Sequence, residues 1–277
     1  MLVDSHCHLQ DPKFAREVDD VVRRATDAGV TAMVVVGYDM PSSRRAVEIA
    51  DSFANAYAAI GVHPHDAKTL RPTDIAELGR MADSARVVAI GEIGLDLFRN
   101  LSPRDQQDRA FQEQLELARS LRLPVVIHSR DADEETYAVL ADYAQASRAD
   151  WPKERPIGVL HCYAGDLPLA LRYIDLGFVI SIAATVTYPA AEKTRAVAGG
   201  IPLRWLAVET DSPYLPPQNK RGKRNEPAYV REVAQHIAEL RGVTLAVVCD
   251  GTATTAARLF GLGDIGEPAA EQAGEAR

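Results

Sequence analysis

The chain has 277 residues, 47% hydrophobic and 25% charged, the make-up of an ordinary soluble globular protein. That excludes a wholly disordered chain, a collagen and a coiled coil. The net charge of −8 argues against a broadly basic nucleic-acid-coating protein, though not against a local basic groove.

In chain order, short apolar runs fall at Met1–Val3, Ala32–Val36, Tyr57–Ile60, Val87–Ile90, Val125–Ile127, Ile157–Leu160, Phe178–Ile182 and Leu206–Val208. Several are continuous in Val, Ile and Ala, as strands buried on both faces should be. Amphipathic helix stripes lie between them, such as Val18, Val21, Val22 and Ala25, then Phe111, Leu115, Ala118 and Leu121, then Tyr137, Leu140, Ala141 and Ala144. Gly29 and Gly177 follow helices, and Pro124 opens a strand. Eight runs in 277 residues give about 35 residues per strand-plus-helix unit. Strict alternation predicts a single-domain α/β fold, an eight-stranded TIM barrel over residues 1–261. A doubly wound open sheet is disfavoured because no Gly-x-Gly-x-x-Gly follows the first strand. Residues 262–277 lack apolar periodicity and carry −3 of the charge through Asp264, Glu267, Glu271 and Glu275 against Arg277, so they read as a disordered acidic tail.

Cys7, Cys162 and Cys249 imply no disulfide framework. The N-terminus has no signal-peptide pattern, and no apolar stretch is long enough for a membrane span. The expected location is the cytoplasm.

Polar residues with metal-ligating chemistry sit at the strand ends. His6 and His8 end the first strand on one face. His63 follows the third, Glu92 the fourth, His128 the fifth, His161 the sixth and Asp211 the eighth. In a barrel these ends share one mouth. Such a cluster is costly unless divalent cations compensate it. Six ligands exceed one open tetrahedral site and suit two metals bridged by the two oxygens of Glu92. Asp211 then ligates the first metal and accepts a proton from water as general base.

Asp4-Ser5-His6-Cys7-His8-Leu9, Gly61-Val62-His63-Pro64-His65, Gly91-Glu92-Ile93-Gly94-Leu95-Asp96, Pro124 to Arg130, His161-Cys162-Tyr163-Ala164-Gly165 and Glu209-Thr210-Asp211-Ser212-Pro213-Tyr214-Leu215 resemble the successive motifs of the TatD-like metal-dependent hydrolases. The resemblance runs from residue 2 to about residue 260. It implies a distorted TIM barrel of the amidohydrolase superfamily, two divalent metals, and hydrolysis of DNA phosphodiesters, often as an exonuclease. By the same resemblance His6, His8, Glu92 and Asp211 hold the first metal. Glu92, His128 and His161 hold the second, and His63 contacts the scissile phosphate or its leaving group. Glu92 stands where some relatives carry a carbamylated lysine. Tyr163-Ala164, Leu97-Phe98 and Thr254-Thr255-Ala256 depart from the family pattern without touching a ligand.

The expected cofactors are two divalent ions, Zn²⁺, Mg²⁺ or Mn²⁺. The expected partner is DNA, single-stranded or at a strand end. Lys220, Arg221, Lys223 and Arg224 form a basic loop just past Asp211 for phosphate contact. Arg130 is a second phosphate clamp, His65 a weaker neighbour, and Tyr163 and Asn225 are candidate nucleotide contacts. Two other readings compete with a DNase: an amidohydrolase cleaving a small amide or ester, and a non-catalytic scaffold.

Overall fold

The computed structural model describes residues 1–263. The strands are β1 (Val3–Cys7), β2 (Ala32–Val36), β3 (Ala56–Ile60), β4 (Val87–Asp96), β5 (Val125–Arg130), β6 (Gly158–Leu160), β7 (Phe178–Ile182) and β8 (Leu206–Val208). They pair in sequence order, all in parallel. Helices α1 (Val18–Asp27), α2 (Met40–Ser52), α3 (Pro72–Met81), α4 (Arg104–Leu121), α5 (Asp133–Ser147), α6 (Leu167–Leu176), α7 (Glu192–Gly200) and α8 (Val230–Arg241) alternate with them around the outside. The fold is the expected TIM barrel.

Two apolar layers hold it together. Strand side chains such as Met33, Val35, Ile60, Ile90 and Ile127 face outward, against helix residues such as Val21, Ile49, Leu78 and Leu140. The inward layer is smaller: Val3, Ala32, Val34, Ala59, Ala89, Val126, Val159, Val179 and Ala207. Small Ala and Val leave the lower interior open, and a last helix fills it. Helix α9 (Leu245–Phe260) inserts Ala253, Ala256, Leu259 and Phe260, followed by Leu262, into this inner cluster. The barrel is therefore plugged at the end opposite the strand C-termini.

The seam between β1 and β8 is the distorted part. They meet through a single bridge, Cys7 to Ser212, rather than through a continuous ladder. Polar side chains complete the closure. Asp4 accepts bonds from the Thr210 hydroxyl (2.6 Å) and the Thr210 N–H (2.9 Å). Ser5 Oγ donates to the Val208 carbonyl (3.0 Å). Asp211 N–H donates to the His6 carbonyl, and His8 N–H to the Ser212 carbonyl. These bonds satisfy backbone groups that the absent ladder would leave buried and unpaired.

Two boundaries differ from expectation. β1 runs to Cys7 and β4 to Asp96, beyond their apolar runs, because polar side chains at these ends are buried within the mouth. Leu262, assigned to a tail starting at 262, is buried and continues the α9 plug. The acidic segment 264–277 lies outside the described residues.

Candidate metal centre

β1 carries His6, with His8 just past its end, and both rings are buried. β4 aims Glu92 inward through an irregularity, since Ile90 pairs with Val125 but Ile93 pairs with Ile127. The extra residue re-aims the strand, as bulges do. Gly94 makes this possible. Its φ of +139° is unsuited to an L side chain, and a Cβ there would collide with the His128 carbonyl. Asp211 itself has φ of +55°. Aspartate tolerates this left-handed conformation better than most residues.

Two donor sets share Glu92. On one side, His6 Nε2 lies 3.2 Å from His8 Nε2, 3.6 Å from Glu92 Oε2 and 3.8 Å from Asp211 Oδ1. His8 Nε2 is 3.3 Å from Asp211 Oδ1. Donors around one tetrahedral zinc are separated by about 3.3 Å, so these spacings suit a common cation. On the other side, Glu92 Oε1 is 2.9 Å from His128 Nδ1, 3.0 Å from His161 Nε2 and 3.4 Å from His63 Nε2.

The outer ring nitrogens decide which inner nitrogens are available. His8 Nδ1 donates to the Val36 carbonyl (2.7 Å), His161 Nδ1 to Glu209 Oε1 (3.2 Å) and His128 Nε2 to Asp96 Oδ2 (3.1 Å). Each bond leaves the opposite nitrogen facing Glu92 or its partners, the orientation that carboxylate and carbonyl neighbours impose on ligating imidazoles. His63 is arranged differently. Its Nδ1 accepts the His65 N–H at 3.0 Å, so in the neutral ring Nε2 carries the hydrogen. Burial pushes His63 down to about 4, which keeps it neutral near pH 7. It is built as a hydrogen-bond donor toward the pocket.

The charges fit a cation as well. Burial alone would raise Glu92, but His161, His63 and His128 outweigh it and hold the carboxyl well below its ordinary range. Burial opposes charging of His161, yet Glu92 and Glu209 raise it well above the usual imidazole value. His8 and His128 are raised too, against burial, by Asp211 and by Asp96 with Glu92 respectively. The carboxylates thus demand positive charge on this cluster. A divalent cation competes with protons for the same lone pairs.

Asp96 and Glu209 appear in the sequence motifs but are not recognisable there as partners of histidines. Asp96 Oδ2 receives His65 Nε2 (2.9 Å) as well as His128. Glu209 Oε1 also accepts the Cys162 N–H (2.5 Å).

The expected substrate contacts separate into two groups. Asn225 is fully buried, and its Nδ2 donates to the carbonyls of Thr210, Tyr214 and Leu215. It is a staple for the loop after Asp211, not a nucleotide contact. Tyr163 is buried, with its hydroxyl spent on the Asp166 carbonyl, so it offers no stacking face. In the basic loop, Lys220 is paired with Glu232 (2.9 Å), and Arg224 with Glu17 (2.6 Å) and Glu226 (3.1 Å). Arg221 and Lys223 are exposed, and Arg221 lies over the Tyr188 ring. The loop of four cations is reduced to two that face solvent. Arg130 lies on the rim above His128, and His65 is partly open beside it.

Fold and site together define a metal-dependent hydrolase on a TIM barrel. The family model described as TatD related DNase matches residues 3–261, and the chain belongs to this family. It is 38% identical over 260 residues to a Bacillus subtilis protein named uncharacterized metal-dependent hydrolase YabD, covering 94% of this chain and 99% of that one. It is 36% identical to the Salmonella typhimurium protein named 3'-5' ssDNA/RNA exonuclease TatD, covering 92% and 98%. Among solved structures, the YJJV TatD homolog of Escherichia coli superposes with a TM-score of 0.87 at 31% identity, covering 95% of this chain and 98% of that one. No helix among the described residues is long and apolar enough to cross a membrane.

Proposed function

We propose that the protein hydrolyses phosphodiester bonds of single-stranded DNA from a strand end, using two divalent cations. The observation that carries this reading is the division of Glu92. Its Oε2 faces His6 and His8, while its Oε1 faces His63, His128 and His161. One carboxylate between two donor sets suits a pair of ions. When bound, such ions supply charge neutralisation at a phosphoryl group and an acidified water. Their assignment is His6, His8, Glu92 and Asp211 on one side and Glu92, His128 and His161 on the other.

The chain's own groups do the rest. Asp211, its side chain partly open to the mouth, accepts the proton of the attacking water. His63 Nε2–H donates to a non-bridging oxygen or the leaving oxygen of the scissile phosphate. Arg130, Arg221 and Lys223 draw the strand in by charge. The exonuclease names among the relatives support the substrate class.

The experiment offers metal-replete protein single-stranded DNA, duplex DNA, RNA and a panel of small amides, with Mg²⁺, Mn²⁺ or Zn²⁺. Single-stranded DNA is expected to shorten from an end, and Glu92→Ala and Asp211→Ala to abolish this. Cleavage of an amide with DNA left intact would sink the nuclease reading.

A further inference from the structure

Phe98 is the most exposed large apolar side chain among the described residues, with 59% of its surface open. Its surroundings give that exposure a purpose. It lies two residues past Asp96, and Leu97 N–H donates to the Arg130 carbonyl at 2.9 Å. Phe98 is thereby tied to the end of β5, beside His128. The Arg130 guanidinium lies 4.0 Å from the centre of the Phe98 ring. The ion pairs on this rim join Asp96 to His65 and His128 and leave Arg130 out. Arg130 makes no ion pair among the described residues, so the guanidinium keeps its donors for an incoming anion. The opposite rim repeats the combination. Tyr214, 42% exposed, has Lys13 Nζ 4.6 Å from its ring centre and stands 6.0 Å from the His8 ring.

We propose that Phe98, stacked on Arg130, is the shelf for an unpaired nucleobase, with the guanidinium meeting the adjoining phosphate. The proposal rests on the nucleic-acid reading of this same site and adds a specificity-determining residue to it. An open aromatic face binds any base, because every base has a π-face, and a neighbouring cation adds to the stack. Bases stacked inside a duplex offer no free face. The shelf therefore selects single strands, and it favours purines for their larger stacking area.

The test uses the full chain with Mn²⁺ and short single-stranded oligodeoxynucleotides ending in a purine or a pyrimidine. Wild type is expected to favour the purine end. Phe98→Ala is expected to raise KM about tenfold and to erase the purine preference. It should change kcat less than about threefold. Phe98→Trp should restore both KM and preference. In parallel, a phosphorothioate oligonucleotide ending in 2-aminopurine should be quenched on binding wild type and not on binding Phe98→Ala. An unchanged KM with quenching retained in Phe98→Ala overturns the shelf. So does an equal loss on purine and pyrimidine ends that Phe98→Trp does not rescue. If wild type hydrolyses no oligonucleotide but quenches in a Phe98-dependent way, the reaction assigned above fails and the shelf stands. If wild type neither hydrolyses nor quenches, both fall.

Discussion

Glu209 illustrates how a residue can matter without facing the pocket. Its Oε1 takes the His161 Nδ1 hydrogen and the Cys162 N–H together, which fixes both the ring and the loop behind it. Cys162 is held there with φ of +44°, a left-handed conformation disfavoured for its side chain. Losing such a partner typically weakens metal affinity 10- to 100-fold, about 1.4–2.7 kcal/mol. Glu209→Gln keeps the shape but loses the charge. It is expected to weaken divalent-metal binding by about tenfold in competition with a chromophoric chelator, at nearly unchanged stability of the metal-free fold. The histidines and Glu92 are legible in the sequence because they follow apolar runs. Asp96 and Glu209 are not, because nothing local says which imidazole a carboxylate will meet. Asn225 misleads for a related reason. A polar residue in a basic loop looks like a ligand contact until its three carbonyl acceptors are seen.

At the level of elements, the seam between β1 and β8 and the start of α3 are held by side chains. Thr210 both donates to Asp4 and accepts the Ser212 N–H at 3.1 Å. Thr210→Val keeps the shape and removes both bonds, leaving Asp4 Oδ2 and the Ser212 N–H unsatisfied while Asp4 Oδ1 keeps the Thr210 N–H. The expected cost is about 2–3 kcal/mol by urea denaturation, together with weaker metal binding because His6, His8 and Asp211 flank the seam. Asp74 accepts the Arg71 N–H (2.9 Å) at the start of α3 and pairs with the Arg71 guanidinium (3.0 Å). Arg71 holds the Asp74 carboxyl below its ordinary value. A lowered folded value means the stabilisation is complete above the unfolded carboxylate range, about pH 4, and is lost as pH falls through the folded value. Asp74→Ala should therefore cost about 1 kcal/mol at pH 7, and thermal denaturation should show the gap to wild type closing below about pH 4. The strand order was readable from eight apolar runs. The extension of β4 to Asp96 and the weak seam were not, since both depend on polar groups satisfied only in the closed barrel.

For the whole molecule, cation binding and folding are linked because the donors of one set come from β1, β4 and the loop after β8. An unfolded chain does not hold them together. A ligand at about 1,000 times its Kd adds about 4 kcal/mol to stability. In a chain of this size, chelation should then lower the thermal midpoint by about 10 °C in scanning calorimetry, and re-addition of metal should restore it. The negative total charge, which at first speaks against nucleic acid, is compatible with the site because exposed Arg130, Arg221 and Lys223 lie locally around the mouth.

The α9 plug leaves the barrel open only at the face that carries the metal centre. Ala253, Ala256, Leu259, Phe260 and Leu262 fill the far end, so substrate and product of the proposed reaction use the same face. Traffic in and out then shares a single lane. For the proposed reaction, a released nucleoside monophosphate occupies the place the strand end needs. Added deoxynucleoside monophosphate should raise the apparent KM for oligonucleotide while leaving kcat unchanged. A fall in kcat at constant KM would mean that product leaves by another route.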